Sequence, residues 1–516
     1  MAVDTSKIKQ PSLITAIGIG IGCMIGSGWL FAAYYASKYA GPAAYISWFI
    51  GAGLTLILAL LLAEIACMYN KERSFFSRLF NISHKNQDFG FVIAISGWLG
   101  VVVTIPSEAS ATIQYLSTAF PSLTTYIYSN NDLTWFGIAS VAGLMLIYML
   151  VNYWGIRFLA KVNNAITVFK IIIPIMTAII LIVAGFHTSN FSSQGFAPNG
   201  FGKAITAVVD SGIFYAFYGF GMIAIFSSEL KNPSKNIPIA LITSVVLVLI
   251  IYLLLQTAFI GALPVDMVAK GWSNLDFTSP LVQVLLLFQI NILALWATIL
   301  YVDAGVSPSG TGIIYAGSAS RMLTGMAKDK QAPAFFDKIH PIHNLSQRSL
   351  VFTILVCIGI VIFFKNWQEI MIVVTVFQLL SCMAIPVSFT KLRKSEPNKT
   401  RDFKVRGGVV LSYFIFIIVT YLLAQASTDA LWLSLILHAV FFLFYGASYY
   451  KGNPTKVLRS LASSYSIFVY LGFSVIFGYF HEYDILTTFW GIALFIILTS
   501  INYYLLINQK SYNPQR

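Results

Sequence analysis

Long apolar stretches, each of roughly 20 residues, recur along the chain and alternate with short polar connections. A helix of this length crosses the hydrocarbon layer of a lipid bilayer. The pattern predicts about fourteen membrane-spanning helices, near residues 14–36, 43–69, 90–119, 134–152, 162–185, 206–228, 239–262, 281–307, 349–364, 368–390, 409–426, 430–450, 463–480 and 486–507. The longest polar connection, predicted from Arg321 to Arg348, is too short for a soluble domain.

The first apolar stretch contains a cluster of glycines, GIGIGCMIGSG, from Gly18 to Gly28. Glycine costs a helix about 1 kcal/mol relative to alanine, so the cluster predicts a break in the helix. Backbone groups freed at this depth need partners, which a substrate cavity supplies. A carboxylate could accept the N–H groups of Ile25, Gly26, Ser27 and Gly28, helped by the positive end of the following half-helix. The alternative is that the glycines only permit close helix packing.

The sixth apolar stretch repeats this pattern with Gly212, Gly219 and Gly221, the last two within FYAFYGFGMIAIFSSELKNP, from Phe214 to Pro233. Aromatic rings beside a break can cover a small ligand and exclude water. An aromatic stripe is more often plain packing, but paired breaks in two repeats indicate the substrate site of a transporter. The candidate binding residues here are Tyr215, Phe217, Tyr218, Gly219, Phe220 and Gly221.

Composition and charge agree with a membrane protein: 58% of the residues are hydrophobic and 10% are charged. The net charge of +13 could suggest a nucleic-acid partner, but the basic residues crowd into alternate connections. The opposite side carries only Lys38, Lys203, Lys270 and Lys365. This positive-inside distribution predicts cytoplasmic N- and C-termini in a plasma membrane (cell inner membrane), contact with membrane lipid, and no nucleic acid.

Cysteine and histidine offer no candidate active site. The four cysteines, Cys23, Cys67, Cys357 and Cys382, fall in apolar spans without metal-ligand spacing, so we interpret them as packing residues. No histidine has a nucleophile partner or a second ligand at a suitable spacing. We therefore expect no metal, no cofactor and no enzymatic activity.

Several charged residues fall inside the predicted spans. Lys170 lies about eight residues, or about 12 Å, from the start of the fifth span. A charge at this depth costs a few kcal/mol, and a lysine removed from water can release its proton near physiological pH, so Lys170 is a candidate proton carrier. Glu108 and Asp303 could gate, pair with Lys170 or accept a proton. Glu64 and Glu229 lie near span ends, where ordinary salt bridges are expected.

Three segments resemble the amino acid, polyamine and organocation transporters. They are IGSGWLF around Gly26, YAFYGF with SSELKNPSKNIPIA from Tyr215 to Ala240, and SASRMLTGMAKDKQAPAFFDKIH from Ser318 to His340. DAGVSPSGTG, from Asp303 to Gly312, is most similar to a branch that includes bacterial aspartate–proton symporters. The resemblance covers about the first ten spans. It implies an all-α polytopic membrane protein with a five-plus-five inverted-repeat (LeuT-like) core.

On this resemblance, residues 1–390 form the transport core, with repeat one at about 14–185 and repeat two at about 206–390. Residues 391–516 add four helices and a short tail. Spans 1, 2, 6 and 7 are expected to rock against the others of the core. The substrate carboxylate would bind N–H groups of Ser27 and Gly28, the amino group would bind carbonyls near Phe217 and Tyr218, and aromatic side chains would form lids, namely Tyr215 and Phe220.

In proton-coupled relatives, a fifth-span lysine stands where sodium-coupled members bind sodium. Lys170 matches that position, and the resemblance implies four neighbours for it: Gly22, Cys23, Ser307 and Ser309. One departure is Gly221, where many relatives carry glutamate. This departure weakens any transfer of their gating or cation-substrate chemistry.

These observations predict a secondary active transporter that imports an amino acid together with protons. The substrate would be acidic, such as aspartate or glutamate, or neutral. An amino acid exchanger would use the same site, and a polyamine transporter would use acidic residues such as Glu108 and Asp303. A channel or a nutrient sensor is less favoured, because a sensor would carry a cytoplasmic output domain.

Overall fold

The computed structural model describes residues 12–69, 78–129, 132–154, 156–225, 230–340 and 345–512. Within these ranges the chain is almost entirely helical, with a single short β-hairpin. Both predicted helix breaks, near Gly26 and near Gly219, lie within the described residues.

The first half of the predicted core forms eight helices and the hairpin. Its elements are α1 (Leu13–Met24), α2 (Gly28–Ala40), α3 (Ala44–Met68), α4 (Leu79–His84), α5 (Gln87–Ala119), α6 (Pro121–Ile127), antiparallel β1 (Tyr128–Ser129) and β2 (Asp132–Leu133), α7 (Trp135–Trp154) and α8 (Ile156–Ala184). Capping fits the sequence at two helix starts: Ser12 accepts a bond from Thr15 N, and Asn86 accepts one from Phe89 N.

The second half of the core follows. It consists of α9 (Phe201–Asp210), α10 (Ile213–Phe217), α11 (Gly221–Ile225), α12 (Pro233–Ala262), α13 (Val265–Ala269), α14 (Pro280–Leu287), α15 (Asn291–Lys328), α16 (Gln347–Phe363), α17 (Trp367–Cys382) and α18 (Ala384–Ser395). Short 3-10 helices occupy Gly41–Ala43, Thr188–Phe191, Tyr218–Phe220, Trp272–Asn274, Ala334–Phe336 and Ile485–Thr487.

The C-terminal part contributes α19 (Gly408–Ala424), α20 (Thr428–Tyr449), α21 (Pro454–Ser463), α22 (Tyr465–Glu482) and α23 (Phe489–Asn508). A buried carboxylate, Asp88 at the start of α5, binds the end of α20. Its oxygens accept hydrogen bonds from Tyr445 (2.6 Å) and Tyr450 (2.7 Å). Further along α5, the Ser96 hydroxyl forms a 2.7 Å hydrogen bond with His438 Nε2 of α20.

Among the described residues, nine helical segments are long and apolar enough to cross a membrane, or up to eleven if each of two bent pairs is one span. Three shorter apolar helices, α1, α16 and α19, add to these. Within the described residues, each predicted span falls on one helix or on consecutive helices, while the exact number of fourteen stays a prediction. α5 lies at the centre, where it packs most extensively on α15 and α17.

One predicted boundary is wrong. The apolar pattern predicts an eighth span that ends near residue 307 and a polar connection that starts at Arg321, but α15 continues to Lys328. The extension is helical because its apolar side chains, Met322, Leu323 and Met326, are buried against the core. The sequence pattern alone could not reveal this, because Arg321 reads as a boundary.

The four cysteines are all buried and none forms a disulfide, as their apolar surroundings predicted. Glu64, at the end of α3, forms the expected salt bridges, with Arg393 at 2.7 Å and Arg401 at 3.1 Å. It also accepts a bond from the backbone N–H of Val405. The other carboxylate predicted at a span end, Glu229, lies outside the described residues.

Candidate functional site

The first glycine cluster ends a helix, as predicted. α1 stops at Met24, Ile25 has φ −86° and ψ 83°, and a new helix begins at Gly28. The freed carbonyl of Met24 accepts bonds from the Gly26 N–H (3.1 Å) and the Tyr252 hydroxyl (3.0 Å). The backbone carbonyl that the break frees therefore has hydrogen-bond partners within the protein, as the interior of a membrane requires.

The N–H of Ser27 points at a carboxylate of the protein itself. It donates a hydrogen bond to Glu108 Oε2 at 2.7 Å, a length typical of a charge-assisted bond. The other oxygen of Glu108 accepts a bond from the Tyr215 hydroxyl. A Cβ atom at Gly26 would lie 2.9 Å from Glu108 Cδ, so glycine at this position leaves the room that the carboxylate occupies.

Ser27 also connects three helices through its side chain. Its hydroxyl lies 3.2 Å from the Tyr215 hydroxyl of α10 and accepts a bond from Trp367 Nε1 of α17 at 3.1 Å. The Trp367 ring stacks on Phe31 of α2 with 4.5 Å between the ring centroids. Sequence reasoning missed Trp367, although its place at the start of an apolar span could have suggested it.

The second break lies at the first of the three glycines in the sixth span. α9 and the following stretch, Ile213–Ile223, meet at an angle of 55°, next to Gly212, whose φ of +78° favours glycine. At the other two glycines, Gly219 and Gly221, the chain forms or leaves a short 3-10 turn, Tyr218–Phe220, rather than an unwound segment. The chain bends one helical stretch earlier, because only Gly212 adopts the left-handed conformation.

Gly219 instead allows two broken helices to touch. A Cβ atom there would lie 2.6 Å from the Cys23 carbonyl oxygen and 2.6 Å from Met24 N. These are backbone atoms, so no side-chain rotation could make room. The 3-10 turn of the sixth span therefore rests directly on the end of α1.

The remaining aromatic candidates lie around this contact. Phe217 is fully buried and packs edge-on against Trp48 and Tyr252, and Phe220 is fully buried. Tyr218 faces Ser381 and Cys382 of α17. Gly221 begins α11. Of the sixth-span candidates, Tyr215 alone has a described hydrogen bond to the Ser27 and Glu108 group.

Lys170 is buried, with 1% of its surface exposed, and its ammonium bridges two elements. It donates to the Gly22 carbonyl of α1 at 2.8 Å and to the Thr311 hydroxyl of α15. The predicted Gly22 contact is present. The hydroxyl partner differs, because Ser309 bonds to Tyr148 (2.9 Å), whereas Thr311 points at Lys170.

Glu108 and Asp303 both lie near enough to Lys170 for their charges to interact with it. Neither makes a direct ion pair with it in the part of the chain that the structure describes. Asp303 is 5% exposed, and its Oδ2 has no hydrogen-bond partner among the described residues. The same ranges contain no group of three potential metal ligands.

The breaks, the lysine and the carboxylates thus converge around the end of α1. The group joins residues from α1, α5, α8, α10, α15 and α17. Such a set of buried polar side chains, at the point where two broken helices meet, can bind a small charged ligand and can gain or lose a proton.

Comparison with known proteins gives the family. The family model for amino acid permeases matches residues 12–445. The glutamate/serine transporter AimA of Bacillus subtilis is 38% identical over 84% of this chain and 81% of its own. The aspartate-proton symporter of the same organism is 29% identical over 91% of this chain and 90% of its own.

The fold is shared with a solved transporter structure. The crystal structure of the manganese transporter of Eremococcus coleocola matches with a TM-score of 0.55 and 14% identity, covering 97% of this chain and 99% of that one. This likeness supports the predicted all-α, LeuT-like fold and nothing about substrate. The permease family model and the relative that is 38% identical show that this multi-pass membrane protein is an amino acid transporter and belongs to the amino acid permease family.

Proposed function

We propose that this protein is a secondary active transporter that imports an acidic amino acid, aspartate or glutamate, or a small neutral one such as serine, together with protons. The observation that carries the proposal is the Ser27 N–H, which holds a carboxylate at 2.7 Å at a buried helix break. The printed names of two relatives, a glutamate/serine transporter and an aspartate-proton symporter, favour these substrates.

The substrate's α-carboxylate would bind the N–H groups of Ser27 and Gly28 at the start of α2. The helix dipole there favours an anion. The amino group would bind backbone carbonyls near Phe217 and Tyr218. Tyr215 and Phe220 would cover the occupied site.

Lys170 would couple the transport cycle to protons. Its ammonium ties α1 to α15 through the Gly22 carbonyl and the Thr311 hydroxyl. A neutral amine donates a weaker hydrogen bond than an ammonium, so loss of the proton would loosen α1. Proton binding to Lys170 would then shift the equilibrium between two conformations of α1 toward the one that binds the proton more tightly.

Alternating access would move spans 1, 2, 6 and 7 against spans 3, 4, 5, 8, 9 and 10 of the core, residues 1–390. The helices of residues 391–516 would stay with the static part, since Asp88 of α5 binds α20. We propose a plasma-membrane location with both termini in the cytoplasm, on the distribution of basic residues.

The test is uptake of labelled glutamate, aspartate and serine into proteoliposomes in sodium-free buffer, with and without an inward proton gradient. The proposal expects accumulation driven by the gradient in wild type. Lys170→Ala should abolish this accumulation, and Lys203→Ala, at an exposed lysine of α9, should leave it unchanged.

Exchange that needs internal amino acid and ignores the gradient would make the protein an exchanger. Unchanged gradient-driven uptake by Lys170→Ala would remove Lys170 from the coupling mechanism. Uptake of a polyamine in place of amino acids would overturn the substrate class.

A further inference from the structure

The Glu108 carboxylate occupies the donor that the proposed function assigns to the substrate. Ser27 N–H donates to Glu108 Oε2 at 2.7 Å, and a single N–H cannot serve two carboxylates at that distance. Glu108 is 1% exposed, so it is a built part of the break rather than a surface side chain.

We infer that Glu108 is an internal substitute for the substrate carboxylate, which the incoming amino acid must displace, and that the displaced Glu108 takes up a proton. This inference rests on the proposed function and adds a mechanism of competition to it. Before binding, the Glu108 anion lies on the Ser27 N–H. Afterwards, the substrate carboxylate lies there and Glu108 is a neutral acid.

The proton follows from the surroundings of the two carboxylates. Two anions within contact distance in a buried site repel each other, and one of them is then driven to its neutral form. The proton comes from water and remains on Glu108, while the substrate keeps its charge. The site beside the Ser27 N–H therefore holds one negative carboxylate both before and after the substrate binds.

Among the described residues, no cation forms an ion pair with Glu108. The nearest cation, Lys170, is already bonded to Gly22 and Thr311. The titratable groups that face Glu108 or Lys170 from the surrounding helices are Cys23 of α1, Tyr148 of α7, Tyr215 of α10, Tyr252 of α12, and Asp303 and Tyr315 of α15.

Geometry also provides for the exchange of one carboxylate for another. Without a Cβ at Gly26, the space beside the Ser27 N–H holds one carboxylate, that of Glu108, and an alanine there would meet Glu108 Oε2 at 3.0 Å. The same space would receive the substrate carboxylate once Glu108 has left it. Tyr215 binds both Glu108 and the Ser27 hydroxyl, so it can stay in place while the carboxylates change.

The first experiment asks whether the place of Glu108 accepts a free carboxylate, and it needs no transport. Purified Glu108→Ala is melted by scanning fluorimetry with increasing acetate at constant ionic strength. We expect a saturable rise in its melting temperature, absent from wild type and from Asp303→Ala. Asp303 is a matched control because it is also buried but leaves Oδ2 without a partner among the described residues.

A folded Glu108→Ala that melts at the same temperature with and without acetate would overturn the inference. Should Glu108→Ala fail to fold, proton uptake by wild type and Glu108→Gln decides. In weakly buffered solution, wild type should take up about one proton per bound glutamate, and its affinity should fall about tenfold per pH unit at alkaline pH. Glu108→Gln should show neither effect, and retention of both would overturn the inference.

The two proposals fail separately. If wild type transports amino acids under a proton gradient and Glu108→Gln keeps the same pH dependence of binding, the inference alone falls. If no amino acid is transported but acetate stabilises Glu108→Ala, the carboxylate site stands and the proposed function falls.

Discussion

The contact between the two broken helices can be tested by Gly219→Ala. The added methyl would lie 2.6 Å from the Cys23 carbonyl oxygen and 2.6 Å from Met24 N. Carbon atoms normally approach other heavy atoms to about 3.5–4.0 Å, so the turn and α1 must separate by about 1 Å. Because both obstacles are backbone atoms, no rotamer change at a neighbouring side chain relieves the clash.

The magnitude follows from overpacking, which costs about 1–3 kcal/mol in a well-packed core. We expect the upper end, about 3 kcal/mol, because the end of α1 is also held by the Tyr252 bond to the Met24 carbonyl, and the segment that follows it is held by the Ser27 bond to Glu108. Separation of the two breaks should also weaken amino acid binding by about tenfold or more, since each 1.4 kcal/mol is a factor of ten.

The assay compares melting midpoints in detergent at one scan rate, together with binding of glutamate. Gly53→Ala is the control: this glycine also lies in a membrane helix, and a Cβ there meets no atom within 4 Å. It should be neutral or slightly stabilising, since alanine favours helix. If Gly219→Ala melts and binds like Gly53→Ala, the close approach of α1 and the 3-10 turn is wrong.

Three further predictions concern the buried polar contacts outside the substrate site. Glu64→Gln breaks the salt bridges at the end of α3, which should cost about 3 kcal/mol and speed tryptic cleavage within residues 396–407. Asp88→Asn weakens the bonds from Tyr445 and Tyr450 and should cost about 2 kcal/mol, measured as the melting midpoint. Burial lowers the pKa of His84 to about 3. The unfolded chain therefore binds a proton at His84 near pH 6.5, whereas the folded protein does not. Stability should therefore fall by about 2 kcal/mol from pH 7 to pH 5, and His84→Gln should lose this part of the slope.

Exposed residues provide the controls. Glu369→Gln and Asp266→Asn remove a charge at exposed positions and should leave the melting midpoint and the cleavage rate unchanged. An equal response of the buried and exposed variants would show that net charge, rather than the named contacts, determines stability. If the stability of His84→Gln falls with pH as that of wild type does, His84 does not cause the loss of stability in acid.

Local sequence was sufficient for the spans and for the first break. Runs of apolar residues determine where the chain can cross a membrane, because unsatisfied backbone is excluded there. A cluster of glycines determines where α1 ends, since glycine has no Cβ to restrict its backbone. The buried lysine was also visible, because a charge within an apolar run has no other local explanation.

Tertiary structure decided which side chains meet at that break. Ser27 and Glu108 are separated by 81 residues, Lys170 and Thr311 by 141, and Ser27 and Trp367 by 340. When a helix is apolar on all sides, the periodicity of its sequence does not show which neighbour each side chain contacts. The sequence alone therefore predicted a carboxylate-binding N–H at Ser27, whereas only the packing of α5 against α1 placed the Glu108 carboxylate on it.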